Sequence, residues 1–131
     1  MLWIAFWILT ALLAAAAVIV GRQVWRTNTI ARRAEQRVPA SGRFVEIYGN
    51  RIHYVDQGEG PTILFVHGLG GTLHHFRHPL FAGALDGFRL VALDRPGAGY
   101  STRAPWASAR LPAQADLIAR FIYRLGLDRP L

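Results

Sequence analysis

Two glycine-rich stretches follow two short apolar runs, and they hold the residues best suited to chemistry. The first is His67-Gly68-Leu69-Gly70-Gly71, after Thr62–Val66. The second is Asp94-Arg95-Pro96-Gly97-Ala98-Gly99-Tyr100-Ser101, after Leu90–Leu93. Ligands of open α/β sheets bind beyond the carboxyl ends of strands, where both stretches would lie, and glycine lets backbone N–H groups face them. On this observation alone, a pair of tight turns that bind nothing stays an open alternative.

The elements that would position these loops can be read from the hydrophobic pattern. Both apolar runs lack alternation, which predicts strands buried on both faces of a parallel sheet. Ahead of them, residues 44–48 alternate, Gly49-Asn50 is a turn signal and residues 51–56 return, which predicts an antiparallel hairpin. Residues 73–85 are long enough for a crossover helix that Pro79 interrupts.

A second helix is predicted over Leu111–Leu125. Pro112 stands near its start and Gly126 past its end, the usual punctuation of a helix. Its apolar face comprises Leu117, Ile118, Phe121, Ile122 and Leu125.

The N-terminal segment predicts a membrane helix. Residues 2–20 are apolar apart from Thr10 and would span about 28 Å as a helix, close to the thickness of a bilayer core. Trp3, Trp7 and Trp25 flank the segment, as interfacial tryptophans do. A cleaved signal peptide is the alternative, although no basic residue precedes the apolar run. We therefore expect a lipid bilayer as the partner of residues 2–20.

The charge pattern supports this organisation. Every basic residue is an arginine, and residues 22–37 hold five of them against one glutamate. Such a cluster beside an apolar segment places the arginine-rich side, and with it the soluble part, in the cytoplasm of a single-pass membrane protein. The arginines beyond it form no patch in the sequence, so nucleic acid is not an expected partner. The chain has no cysteine, which excludes disulfides and thiol chemistry.

Several short motifs occur in a characteristic order over residues 43–131. They are Arg51-Ile52-His53-Tyr54, Gly58-x-Gly60-Pro61, His67-Gly68, Asp94-Arg95-Pro96-Gly97-x-Gly99-x-Ser101 and Leu125-Gly126-Leu127. Together they resemble the α/β-hydrolase fold family. The resemblance implies an α/β fold class, with residues 43–131 as the N-terminal half of an α/β-hydrolase domain that holds a partial sheet. The apolar run and the arginines predict residues 1–21 as a transmembrane helix and residues 22–42 as an Arg-rich juxtamembrane helix and linker.

The resemblance also implies roles for the two loops. The backbone N–H of Leu69, with that of Gly70 as the next candidate, would form part of an oxyanion hole. His67, Gly68 and Gly71 would be structural residues of this oxyanion loop. Structural roles in the second loop would fall to Asp94, Arg95, Gly97, Gly99 and Ser101. No cofactor and no metal are implied.

The chain departs from the family pattern at the nucleophile. The family's Gly-x-Ser-x-Gly elbow is missing, because Ser41, Ser101 and Ser108 are the only serines and none has that context. We expect a fragment that holds the oxyanion loop but no catalytic residue, from a full-length hydrolase that cleaves an ester or related bond in a small-molecule substrate. An aspartate in the elbow would shift the chemistry toward epoxides or haloalkanes. Without the nucleophile strand beside it, Thr62–Val66 would become an apolar edge that favours aggregation.

Three other interpretations stay open at this point. Gly68-x-Gly70 followed by Asp94 partly matches a dinucleotide-binding start, although Leu73 stands where the third glycine belongs. His74, His75 and His78 have spacings that could approach a metal ion. The third interpretation is a catalytically inactive membrane protein with a hydrolase-like interaction domain.

Overall fold

The computed structural model describes residues 2–76, 83, 85–127 and 130, in two compact units that divide between Ala40 and Ser41. The first unit is the helix α1, Leu2–Arg37, which continues from the apolar segment through the arginine-rich one. It is long and apolar enough to cross a membrane. The hydroxyl of Thr10 donates to the Phe6 carbonyl at 2.9 Å, so the one polar side chain of residues 2–20 is satisfied within the helix.

The second unit is built on a four-stranded sheet. Its strands are β1 (Arg43–Ile47), β2 (Asn50–Gln57), β3 (Thr62–Val66) and β4 (Arg89–Leu93), in the order β1-β2-β4-β3. The β1/β2 hairpin is antiparallel, β2 pairs antiparallel with β4, and β3 pairs parallel with β4. The predicted hairpin and the predicted parallel pair are both confirmed. Among the described residues β3 is an edge strand, which explains why it is half-buried whereas β4 is buried along most of its length.

The hairpin turn lies one residue earlier than Gly49-Asn50, so that prediction was wrong. Ile47 pairs with Asn50, which leaves Tyr48 and Gly49 as the two turn residues, with φ of 52° and 74°. Positive φ at both positions is the geometry that matches the twist of the two strands. Asn50 instead begins β2, and its buried side-chain amide donates to the Ile47 and Tyr48 carbonyls at 3.0 and 3.2 Å.

The helix α2, Leu111–Arg124, covers one face of the sheet. Leu117 and Phe121 are buried, and the Phe121 ring meets Tyr54 of β2 edge-on at 5.4 Å. Pro near its start and Gly126 with φ of 60° after its end confirm the predicted punctuation. Of the predicted crossover helix, residues 74–76 are helical, whereas residues 77–82 and 84, including Pro79 and His78, lie outside the described residues.

Candidate oxyanion loop and its supporting network

The two glycine loops lie side by side at one edge of the sheet. β3 and β4 are parallel, and Val66 pairs with Leu93, so the residues that follow them, His67 and Asp94, leave the sheet together. Two hydrogen bonds join the loops. The Arg95 N–H donates to His67 Nε2 at 3.0 Å, and the Leu73 N–H donates to Asp94 Oδ1 at 2.8 Å.

The first loop presents two backbone amides at its tip. The Gly71 N–H donates to the Gly68 carbonyl at 3.2 Å, which closes a four-residue turn with Leu69 and Gly70 at its centre. Gly70 has φ of 70°, a value that the third position of such a turn favours and that side chains resist. The Leu69 side chain is fully exposed. Neither the Leu69 nor the Gly70 amide donates a hydrogen bond to any other residue that the structure describes.

His67 holds this loop in shape. Its Nδ1 lies 2.8 Å from the Gly68 carbonyl, so Nδ1 carries the hydrogen, while Nε2 accepts from Arg95. Both ring nitrogens are therefore engaged, and the ring is buried. A Cβ on Gly71 would sit 3.2 Å from the His67 Cβ and 3.1 Å from His75 Nδ1, so a side chain there would require its neighbours to shift slightly. At Gly68 and Gly70, in contrast, a Cβ would meet no atom within 4 Å.

Asp94 organises the second loop from a fully buried position. Besides the Leu73 amide on Oδ1, its Oδ2 accepts from the Tyr100 N–H at 3.1 Å. A Cβ on Gly99 would collide with this carboxyl group, and Gly99 also has φ of 52°, so glycine is required there. The Ser101 hydroxyl donates to the Asp94 carbonyl at 2.7 Å.

His53 belongs to the Arg51-Ile52-His53-Tyr54 motif, but the sequence did not predict its place in this network. Its Nδ1 lies 2.8 Å from Asp94 Oδ2 and its Nε2 lies 2.8 Å from the Ser41 carbonyl. The Ser41 carbonyl can only accept, so Nε2 donates to it, and Nδ1 shares a hydrogen bond with the Asp94 carboxyl group. The His53 N–H also donates to Ser101 Oγ at 2.8 Å. A histidine on one strand and an aspartate at the end of another were the available signals, but their pairing depends on the tertiary fold.

This geometry argues against the dinucleotide-binding alternative and leaves the metal alternative untested. Asp94 is fully buried and its oxygens accept three hydrogen bonds, so it is not placed to bind a ribose hydroxyl. The part of the chain that the structure describes contains no group of three residues able to hold a metal ion, and His78 of the proposed histidine cluster lies outside that part. Two buried nitrogens near the loops, His74 Nε2 and Arg95 Nε, have no hydrogen-bond partner among the residues that the structure describes.

Comparison with known proteins identifies the fold. The family model described as alpha/beta hydrolase fold matches residues 61–131, which include both loops and α2. This chain belongs to the α/β-hydrolase fold family. The strand order β1-β2-β4-β3 and the loops at the carboxyl edge are therefore those of an α/β-hydrolase sheet.

Individual α/β-hydrolase relatives agree. Haloalkane dehalogenase 2 of Mycobacterium tuberculosis is 38% identical over 96 residues, which cover 73% of this chain and 33% of the relative. Bifunctional epoxide hydrolase 2 of Rattus norvegicus is 39% identical over 82 residues, which cover 62% of this chain and 15% of the relative. The crystal structure of an epoxide hydrolase from Vigna radiata matches with a TM-score of 0.62 and 30% identity, over 70% of this chain and 30% of that one. The chain thus spans about a third or less of the length of these relatives.

Proposed function

We propose that this chain is the membrane-anchored front part of an α/β-hydrolase in which the Leu69 N–H, supported by that of Gly70, stabilises the anionic intermediate. The observation that carries the proposal is the position of these two amides at the tip of a turn, at the carboxyl edge of the sheet. Neither is engaged by another described residue, and open space adjoins Gly68 and Gly70. Fixed donors of this kind lower a barrier because they need no reorganisation as charge develops.

The rest of the loop network serves to keep these donors in place. His67 fixes the Gly68 carbonyl, and Asp94 fixes the Leu73 amide on the far side of the turn. The polar atoms of both side chains form hydrogen bonds that hold the loops, so we assign these residues structural roles. Nucleophile, acid and base would then come from sequence beyond Leu131, as the greater length of the relatives suggests.

The substrate class remains an ester or a related bond in a small molecule. Relatives named haloalkane dehalogenase and epoxide hydrolase make carbon–halogen bonds and epoxide rings the classes to assay beside esters. The proposal requires no cofactor or metal.

The membrane anchor is supported by the surface of α1. Large apolar side chains such as Ile8 and Leu12 are 56% and 62% exposed. A helix that is apolar on all sides needs an apolar environment. We propose that residues 2–20 span the bilayer and that the arginine-rich side faces the cytoplasm.

The test replaces one backbone donor at a time. In the product of the reading frame continued past Leu131, Leu69→Pro removes the N–H and should lower kcat by about 10²–10³-fold. Leu69→Ala keeps the N–H and should keep activity close to the parent, because the side chain is fully exposed. Equal losses in both variants would mean that the amide is not the contributing group. The 131-residue chain itself should show no esterase, epoxide hydrolase or dehalogenase activity.

An inactive membrane protein with a hydrolase-like interaction domain is the second candidate, favoured by the missing nucleophile motif. The reading frame after Leu131 separates the two. An encoded Gly-x-Ser-x-Gly, or its aspartate counterpart, within about ten residues supports the enzyme. A stop codon there supports the inactive protein.

A further inference from the structure

One surface of the second unit exposes large apolar side chains beside arginines, and we call it the aromatic patch. Tyr48, Trp106 and Leu111 are 57%, 79% and 75% exposed. Two exposed arginines, Arg103 and Arg110, flank Trp106 in the same loop and belong to the patch. Large apolar side chains grouped in this way on a surface mark a contact site more often than a chance exposure.

The patch is held together by the hairpin turn. The Asn50 side-chain oxygen accepts from the Ala104 N–H at 3.1 Å, and the Thr102 N–H donates to the Arg51 carbonyl at 2.9 Å. A Cβ on Gly49 would lie 3.1 Å from the Trp106 ring, so the indole packs directly on the turn. Tyr48 and Trp106 border one cleft of about 190 Å³ together with the first turns of α2. The loop therefore presents Trp106 from a fixed position.

The charge around the patch indicates which kind of partner it binds. Residues 95–111 contain three arginines and no acidic residue, and Asp116 is the acidic residue on the rim of the cleft. Tryptophan and tyrosine favour the interface between lipid and water, and arginines favour anionic headgroups. A second copy of the chain would place arginine against arginine. We propose that the aromatic patch docks on an anionic lipid bilayer, an inference that rests on the membrane anchor proposed above.

The segment between the membrane helix and β1 limits how far the patch can lie from the bilayer. Residues 21–42 separate the apolar segment from β1, and even fully extended they span at most about 75 Å. β2 begins at Asn50 and runs antiparallel to β4, so the hairpin turn and the patch lie at the carboxyl edge of the sheet, as Leu69 does. Docking would turn the oxyanion loop toward the lipid. The substrates would then be apolar molecules that partition into the bilayer.

The experiment uses Trp106 as its own reporter in the full chain. The sequence has four tryptophans, so Trp3→Phe, Trp7→Phe and Trp25→Phe leave Trp106 alone. This protein is reconstituted in phosphatidylcholine vesicles with and without phosphatidylglycerol, and flotation reports whether the chain is anchored. Brominated lipids, labelled near the headgroup, and aqueous acrylamide compete to quench the indole. In anionic vesicles we expect a blue-shifted emission that the lipid quenches and acrylamide does not.

Two pairs of arginine substitutions test whether the positive charge of the patch causes the docking. Arg103→Gln with Arg110→Gln should weaken docking by about 25-fold, since each arginine near an anionic surface contributes about fivefold. Arg120→Gln with Arg124→Gln, on exposed positions further along α2, should leave quenching unchanged. Flotation without lipid quenching of Trp106 overturns the patch and leaves the anchor intact, whereas failure to float overturns both. Equal responses of the two arginine pairs also overturn the docking proposal. Protection of Trp106 from both quenchers, which a bound protein would cause, overturns it as well.

Discussion

The buried pair of His53 and Asp94 is the residue-scale feature on which the candidate site depends. Both side chains are fully buried, and the pair joins β2 to the loop that follows β4. The Asp94 carboxyl group bonds two backbone N–H donors besides the His53 ring, so both of its oxygens have partners. Removing one member of such a buried pair is strongly destabilising, because the polar atoms of the other member stay buried without a partner.

Asp94→Asn should lower the free energy of unfolding by about 3–5 kcal/mol. The amide keeps the shape of the carboxyl group but turns a donor toward His53 or Tyr100. Chemical denaturation of the full chain in detergent, followed by circular dichroism, measures the loss. Asp116→Asn, at an exposed position of α2, is the control and should stay within about 0.5 kcal/mol of the parent. A similar small effect at position 94 would contradict the stabilising role of the buried hydrogen bonds of Asp94.

At the scale of elements, two contacts keep the sheet and its covering helix in place. Arg89 of β4 donates from Nε and an Nη to the two carboxylate oxygens of Asp56 in β2, at 2.9 and 2.8 Å. This hydrogen bonding, helped by the charges of Arg89 and Arg43, holds the pKa of Asp56 below its ordinary value, against a smaller opposing effect of burial. On the face of the sheet, α2 contributes Leu117 and Phe121 to the core.

The Asp56–Arg89 pair predicts a dependence of stability on pH. A depressed pKa in the folded state means that the stabilisation is complete above the ordinary value of 3.8 and is lost as the pH falls below it. The pair is partly exposed, so the effect should stay under about 1 kcal/mol. Denaturation midpoints measured from pH 6 down to pH 3 should fall less steeply in Asp56→Asn than in the parent. Glu46→Gln, an exposed acid of β1, should leave the slope as it is.

The packing of α2 predicts a large effect at one position and a small one nearby. Phe121 is completely buried against Tyr54, so Phe121→Ala should cost about 3–5 kcal/mol through lost contacts and a cavity. Tyr123 is 76% exposed on the same helix, and Tyr123→Ala should cost less than about 1 kcal/mol. Thermal unfolding of the two variants in the same detergent gives the comparison. Comparable losses would place α2 differently on the sheet.

At the scale of the whole molecule, two apolar features favour association. One is the exposed apolar surface of residues 2–20, and the other is β3, the edge strand of the described sheet, whose side chains are partly buried. An apolar helix surface favours lipid, and an edge strand favours pairing with another strand. The two features can be tested separately.

Deleting residues 2–20 should release the chain from the membrane fraction. The parent chain should stay in that fraction when the membranes are washed with alkaline carbonate. The deleted chain should then self-associate through β3, which sedimentation velocity detects. Val66→Lys introduces a charge at an exposed position of β3 and should reduce the association. Ala119→Lys, at an exposed position of α2, is the matched control and should not. If the chain that lacks residues 2–20 is monomeric, β3 does not cause self-association.

Local features of the sequence determined the hairpin, the parallel pair, α1, α2 and the two glycine loops, because periodicity, turn residues and motif order are properties of neighbouring residues. Only the tertiary structure decided which distant groups meet. His53 and Asp94 are 41 residues apart, and the Leu73 amide and Asp94 are 21 apart. The turn at Tyr48-Gly49 likewise followed from the pairing of Ile47 with Asn50 and from the contact of Asn50 with Ala104. These contacts depend on how the strands pair and how the loops pack in the folded chain, and the spacing of residues along the sequence does not specify either.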